Sequence, residues 1–156
     1  MMTEVRAATV LLVEDNPADQ NLGRRALEKG VVKCNLRIAA DGEEALDSLS
    51  RRGSFEGGAD HPPPDLVLLD LNMPRIDGLQ VLKSMKSDPR LCTIPVVVLT
   101  TSDQEEDIVR SYRLGCNSFV RKPLNAPDFL VALQSLKAYW LKLVVLPRIA
   151  EDRFQK

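Results

Sequence analysis

Leu66-Val67-Leu68-Leu69-Asp70-Leu71-Asn72-Met73-Pro74, with Asp77-Gly78 close behind, orders the rest of the chain. Four apolar residues in a row are too few for a helix and leave no polar face. Leu66–Leu69 therefore suits a strand buried on both sides, as in the middle of a parallel sheet. The run stops at a carboxylate, and Pro74 with Asp77-Gly78 turns the chain away beyond it. Val10–Val13 and Val96–Leu99 have the same form, and Pro95 opens the second, where a missing N–H does least harm. Two weaker candidates remain. Leu36-Arg37-Ile38-Ala39 alternates and Ser118-Phe119-Val120 is brief, as edge strands are.

Helical patterns fill the gaps. Pro17 to Lys29 has Asn16 as a cap, Pro17 at the first helical position, and Gly30 as a stop. Asp41 to Arg51, Asp77 to Ser87 and Asp103 to Leu114 each open on an acid, which suits the positive end of a helix dipole. The last of these halts before Gly115. Phe129, Leu133, Leu136, Trp140 and Leu143 recur at helical steps and form one continuous stripe. Regular alternation of strand and helix predicts an α/β fold, a flavodoxin-like doubly wound five-stranded parallel sheet with helices on both faces. The order 2-1-3-4-5 puts the two weak strands at the edges. Residues 9–146 are expected to form one domain, with 1–8 and 147–156 as terminal extensions. Arg51 to Pro64 is the long loop, rich in glycine and ending in three prolines. A tolerated, exposed insertion is the preferred reading over a docking role.

The bulk numbers narrow the function classes. A chain of 156 residues with 44% hydrophobic and 28% charged residues fits one soluble domain with its own core. A net charge of -1 gives no support to a nucleic-acid or membrane-surface partner. No leader-like pattern and no apolar run of membrane-spanning length is present, so the cytoplasm is the expected location. Cys34, Cys92 and Cys116 are isolated and lack metal-ligand spacing, so they read as reduced thiols. The single histidine, His61, precedes three prolines and leaves no multi-histidine metal site. No glycine-rich phosphate loop follows the first strand, which weakens a flavin or nucleotide role.

In open parallel sheets, ligands bind beyond the carboxyl ends of the strands. Glu14 and Asp15 follow the first strand, Asp70 ends the third, Thr100 ends the fourth, and Lys122-Pro123 follows the fifth. These strands are contiguous in the expected order, so the side chains share one rim. Two like charges about 4 Å apart repel by roughly 4 kcal/mol at a surface-like dielectric. A hard divalent cation relieves that repulsion, and carboxylate and water oxygens are what Mg²⁺ prefers. Lys122 adds one fixed positive charge. The set suits a dianionic phosphoryl group, with Asp70 as the nucleophile that forms an acyl phosphate. Thr100 offers a hydroxyl, and Asn72 a backbone carbonyl for the metal. Each feature alone has a plainer reading as a turn, a cap or a strand end. Their joint placement favours chemistry.

These residues resemble a two-component response-regulator receiver domain. The resemblance covers about Thr9 to Leu143 and rests on Val13-Glu14-Asp15-Asn16, Leu68-Leu69-Asp70-Leu71-Asn72-Met73-Pro74, Asp77-Gly78, Leu99-Thr100-Thr101 and Lys122-Pro123. It implies that a histidine kinase or a histidine phosphotransfer protein donates a phosphoryl group to Asp70. It also implies Mg²⁺ held by Asp15, Asp70 and the Asn72 backbone carbonyl, with Glu14 acting through water. Lys122 and Thr100 would complete the catalytic set, with Thr100 and Phe119 as the switch pair and the Lys122–Pro123 bond cis. Phe119 stands where the family often has tyrosine, and Thr101 is bulkier than the Ala or Gly common there. The long loop and the ending Tyr139-Trp140-Leu141…Leu146-Pro147 are similar to stand-alone regulators paired with phytochrome-class kinases.

Too little chain follows Pro123 for a DNA-binding output domain, so signalling by contact, relay or oligomer change is expected. Leu143-Val144-Val145-Leu146 either packs back on its own core or builds a homodimer through the last helix and its neighbours, and the homodimer is preferred. A phosphatase of the haloacid-dehalogenase type is the enzyme alternative. It resembles Asp-x-Asp at the nucleophile, whereas Asn72 stands at the second position, and its extra acids come late rather than at Glu14-Asp15. A degenerate receiver that binds partners without phosphorylation is a third reading, and the complete residue set argues against it. A phosphoacceptor that turns over no outside substrate is the expected function.

Overall fold

A computed structural model describes residues 7–30, 32–50 and 62–147. The strands are β1 (Ala8–Val13), β2 (Cys34–Ala39), β3 (Leu66–Leu69), β4 (Val96–Thr100) and β5 (Ser118–Arg121). They alternate with α1 (Pro17–Glu28), α2 (Gly42–Ser50), α3 (Gly78–Ser87), α4 (Glu105–Leu114) and α5 (Ala126–Ala138). All pairings are parallel and the sheet order is β2-β1-β3-β4-β5, as the weak-strand argument required.

Alternate residues of the central strands feed two cores. Leu11, Val13, Val67, Leu69, Val96 and Val98 face α2 and α3 through Ala45, Leu49, Val81 and Met85. Val10, Leu12, Leu66, Leu68, Val97 and Leu99 face α1 and α5 through Ala26, Leu27, Phe129 and Leu133. This is the two-residue period of a strand covered on both faces.

Of three acids expected to open helices, two cap them instead and the third lies outside its helix. Asp77 accepts the Gln80 N–H at 3.0 Å, and Gln80 returns a bond to the Asp77 N–H. Asp41 accepts the Glu44 N–H at 2.7 Å ahead of α2. Asp103 lies outside α4, which starts at Glu105. The apolar stripe of the last helix also changes course. After Ala138 the chain widens into a π-helical turn, Tyr139–Leu143, closed by the Val144 N–H on the Tyr139 carbonyl at 3.0 Å. Trp140 stays in the core at 8% exposure, but Leu143 is turned out to 73%. A strict 3.6-residue period cannot foresee that extra residue per turn.

Among the described residues every peptide bond is trans, Lys122–Pro123 included, against the cis expectation. The intrinsic difference for a bond before proline is only about 0.5–1 kcal/mol, so the residue pair alone does not decide it. His61, most of the long loop (51–61) and the ends (1–6 and 148–156) lie outside the described residues, so the readings placed on them are left as expectations. Among the described residues, no helix is long and apolar enough to cross a membrane. Cys34, Cys92 and Cys116 are free thiols.

Candidate phosphoacceptor site

The site sits where the ladders run past the strand ends. Beyond β1 the Glu14 N–H bonds to the Ala39 carbonyl at 3.0 Å, and the Asp70 N–H bonds to the Val13 carbonyl at 3.1 Å. Beyond β5 the Lys122 N–H bonds to the Thr100 carbonyl at 2.7 Å. These bonds fix three side chains on one rim. On the same rim Asn16 starts α1, its side chain accepting the Ala18 N–H at 2.9 Å and the Asp19 N–H at 3.2 Å.

Lys122 is the hub. Its Nζ lies 2.6 Å from Glu14 Oε1, 2.9 Å from Asp19 Oδ2 and 3.5 Å from Asp70 Oδ2. Glu14, Asp70 and Lys122 are all buried, so the charges interact where water screens them poorly. Burial, helped by the charge of Asp70, pushes the Glu14 carboxyl up to about 7 against the hydrogen bond from Lys122. Burial alone would depress the Lys122 ammonium, but Glu14, Asp70 and Asp19 together hold it above its usual range. Lys122 is therefore charged, and Glu14 resists ionisation.

Carboxylate oxygens of Glu14, Asp15 and Asp70 all lie within 4.8 Å of one another. That span suits oxygen ligands around one small hard cation. Both Glu14 oxygens already have partners, Lys122 and the Asn16 N–H at 3.2 Å, whereas Asp15 is exposed and makes no bond among the described residues. Such a donor set fits Asp15 and Asp70 as direct ligands and Glu14 at one remove.

The other expected residues are close by. Asp70 Oδ1 accepts the Asn72 N–H at 3.2 Å, and the Asn72 amide donates to Thr100 Oγ1 at 3.2 Å. Thr100 is fully buried, and its oxygen also accepts the Ser102 N–H at 3.4 Å. Phe119 is half-buried against the α2–α3 core. Its own N–H donates to the Tyr112 phenol oxygen at 3.1 Å, which ties α4 to the free edge of β5.

Sequence reasoning missed Asp19 and Gln20. Gln20 Nε2 donates to the Glu14 carbonyl at 2.7 Å, anchoring the acidic turn to α1. The available signal was the immediate strand-to-helix transition. With Pro17 at the first position, the first turn of α1 stays over the carboxyl end of the sheet, and Asp19 is in that turn.

The family model described as the response regulator receiver domain matches residues 10–134. The chain belongs to that family. Response regulator Rcp1 of Synechocystis sp. is 41% identical over 138 residues, 88% of this receiver protein and 92% of the relative. The probable methanogenesis regulatory protein FilR2 of Methanothrix harundinacea is 42% identical over 132 residues, covering 85% of this chain and 83% of the relative. A crystal structure of Mn²⁺-bound Rcp1 superposes with a TM-score of 0.85 at 40% identity, covering 90% and 99% of the two chains. The phosphorylated cyanobacterial phytochrome response regulator RcpA superposes at 0.86 with 39% identity, covering 92% and 100%. The fold and the stand-alone regulator resemblance read from the sequence are both borne out. With the receiver family established, the dehalogenase alternative falls away.

Proposed function

We propose that this response regulator takes a phosphoryl group on Asp70 from a sensor histidine kinase or a histidine phosphotransfer protein, with a phytochrome-class kinase as the partner. The observation that carries this reading is the buried Lys122 ammonium lying between Glu14 and Asp70 beside the uncommitted Asp15 carboxylate. Asp15, Asp70 and the Asn72 backbone carbonyl would hold Mg²⁺, with Glu14 acting on it through water. Charge neutralisation at the phosphoryl oxygens is what a bound divalent ion supplies there.

The chain's own groups do the rest. An Asp70 oxygen attacks phosphorus as the donor's P–N bond breaks with the electron pair leaving on the histidine ring, and Lys122 donates to a phosphoryl oxygen. Thr100 Oγ leaves the Asn72 amide to donate to another. Phe119 follows Thr100 inward, and α4 carries the change to the surface through Tyr112. Residues 9–146 act as the receiver unit, which works in the cytoplasm as a phosphoacceptor and turns over no outside substrate. Output is by protein contact without nucleic acid or membrane, as a homodimer through α5 and its neighbours. Val131, Tyr139, Leu143 and Val145 at that end are exposed apolar residues, which supports the dimer.

Incubation with Mg²⁺ and a small acyl phosphate, followed by intact mass, tests the central step. One phosphoryl adduct on the wild type and none on Asp70→Asn is the expected result. An adduct on both proteins, or on neither, removes Asp70 from the role.

A further inference from the structure

We infer that Asp19 is a positioning residue for phosphoryl transfer, which parks Lys122 in the unphosphorylated protein and releases it to the phosphoryl group. The inference rests on Asp70 as the acceptor and adds a fourth acid to the site.

An ammonium has three hydrogens to donate. Lys122 spends two on Glu14 at 2.6 Å and Asp19 at 2.9 Å, while Asp70 at 3.5 Å is beyond hydrogen-bond range. The resting lysine is therefore drawn to the α1 side of the site. Its two partners differ. The Glu14 side chain is 3% exposed, and its second oxygen is held by the Asn16 N–H. The Asp19 side chain is 22% exposed, sits in the first turn of α1, and has Lys122 as its side-chain partner.

During transfer an Asp70 Oδ–P bond forms, and the donor's P–O bond breaks with the electron pair leaving on the carboxylate product. The new phosphoryl oxygens carry two negative charges within reach of Nζ. Its third hydrogen can meet one of those oxygens, and to donate to a second, Lys122 turns from one of its two acceptors. Releasing Glu14 would leave a buried carboxyl without its Lys122 partner, whereas the more exposed Asp19 can take water instead. Asp19 is thus the replaceable counter-ion. Its pairing stabilises the unphosphorylated state, and its charge opposes arrival of a dianion. Both effects have the same sign.

Replacement of Asp19 should therefore favour the phosphorylated state. A charge-assisted hydrogen bond of the usual strength corresponds to roughly a tenfold change in the phosphorylated-to-free ratio. The test follows wild type, Asp19→Asn, Asp19→Ala and Asp19→Glu by intact mass with Mg²⁺ and a limiting small acyl phosphate, with decay read after donor removal. Expected are a ratio raised about tenfold and slower decay for Asn and Ala, with Glu near wild type. A first-turn acid that only favoured the helix dipole would shift melting and leave this ratio unmoved. A second measurement needs no variant: the Asp19 carboxylate carbon signal of the wild type should move toward that of a solvated carboxylate on phosphorylation. Wild type that phosphorylates while the Asn and Ala variants match it or fall below it, or while the Asp19 signal stays fixed, overturns the inference and leaves the Asp70 reading intact. Wild type that never gains the adduct overturns both.

Discussion

Gly78 lies against the backbone of Asp70, so that a β-carbon at position 78 would stand 2.2 Å from the Asp70 carbonyl oxygen and 2.6 Å from the Leu71 α-carbon. The contact is backbone against backbone, and no flexible side chain can give way. The Gly78 N–H also bonds to the Leu71 carbonyl at 3.0 Å, which pins the start of α3 to the loop after Asp70. Gly78→Ala should therefore displace the loop and lower stability by about 1–3 kcal/mol. Phosphorylation by a small acyl phosphate should slow at least tenfold, because a 1 Å error in placing a nucleophile has effects of that size. Urea unfolding and intact-mass time courses check both parts; an unchanged rate would separate loop geometry from reactivity.

Trp140 and Leu143 belong to one apolar stripe in the sequence but to different surfaces in the molecule. Trp140 is 8% exposed in the α1–α5 core, so Trp140→Ala should cost about 3–5 kcal/mol. That variant cannot report on assembly. Leu143 and Val145 are exposed, and Leu143→Ser with Val145→Ser should leave unfolding within about 0.5 kcal/mol of wild type. Sedimentation of wild type and the double variant, with and without phosphorylation, then isolates the dimer contact. A wild type that is monomeric throughout removes the homodimer.

What the sequence made legible was whatever a single period or a strand end encodes. Leu66–Leu69 and Val96–Leu99 reveal their double burial because both faces are apolar, and the order of the sheet follows once β2 and β5 are seen to be weaker. Glu14, Asp70 and Lys122 were visible because each follows its strand directly, and Thr100 because it ends one. Asp19 was hidden because an acid in the first turn has a sufficient local explanation in the helix dipole. Its bond to Lys122 spans 103 residues of sequence and depends on how α1 leans over the rim. Leu143 was misplaced because the π-helical turn breaks the period after Ala138.

Asp88, at the end of α3, supplies a pH dependence far from the site. Slight burial would raise its carboxyl, but the Arg90 N–H at 2.8 Å and the Arg90 guanidinium at 3.3 Å outweigh that and hold it below the usual range. An acid depressed in the folded state adds stability above its unfolded pKa of about 3.9. That stability is lost as pH falls through the lower folded value. Asp88→Asn should therefore unfold more easily at pH 7, by no more than about 0.5 kcal/mol for so exposed a pair. The gap should close at pH about 2. Parallel urea titrations at the two pH values decide it, and a gap that widens in acid would reverse the sign.

Thr101 is expected to set how long the phosphoryl group lasts, through its size at the mouth of the site. It is exposed and directly follows the buried Thr100, whose oxygen holds the Asn72 amide and the Ser102 N–H. A β-branched side chain there is stiff and, in the proposed reading, would narrow the path by which water reaches the acyl phosphate. Hydrolysis requires a water in line with the Asp70 oxygen–phosphorus bond, so narrowing that path slows decay without touching the reacting atoms. Thr101→Ala should speed autodephosphorylation by several-fold while leaving the rate of phosphorylation and the urea midpoint near wild type. Thr101→Val, which keeps the bulk and drops the hydroxyl, should decay like wild type. If Val decays like Ala, the hydroxyl and not the volume sets the lifetime, and if all three decay alike, position 101 plays no part in it.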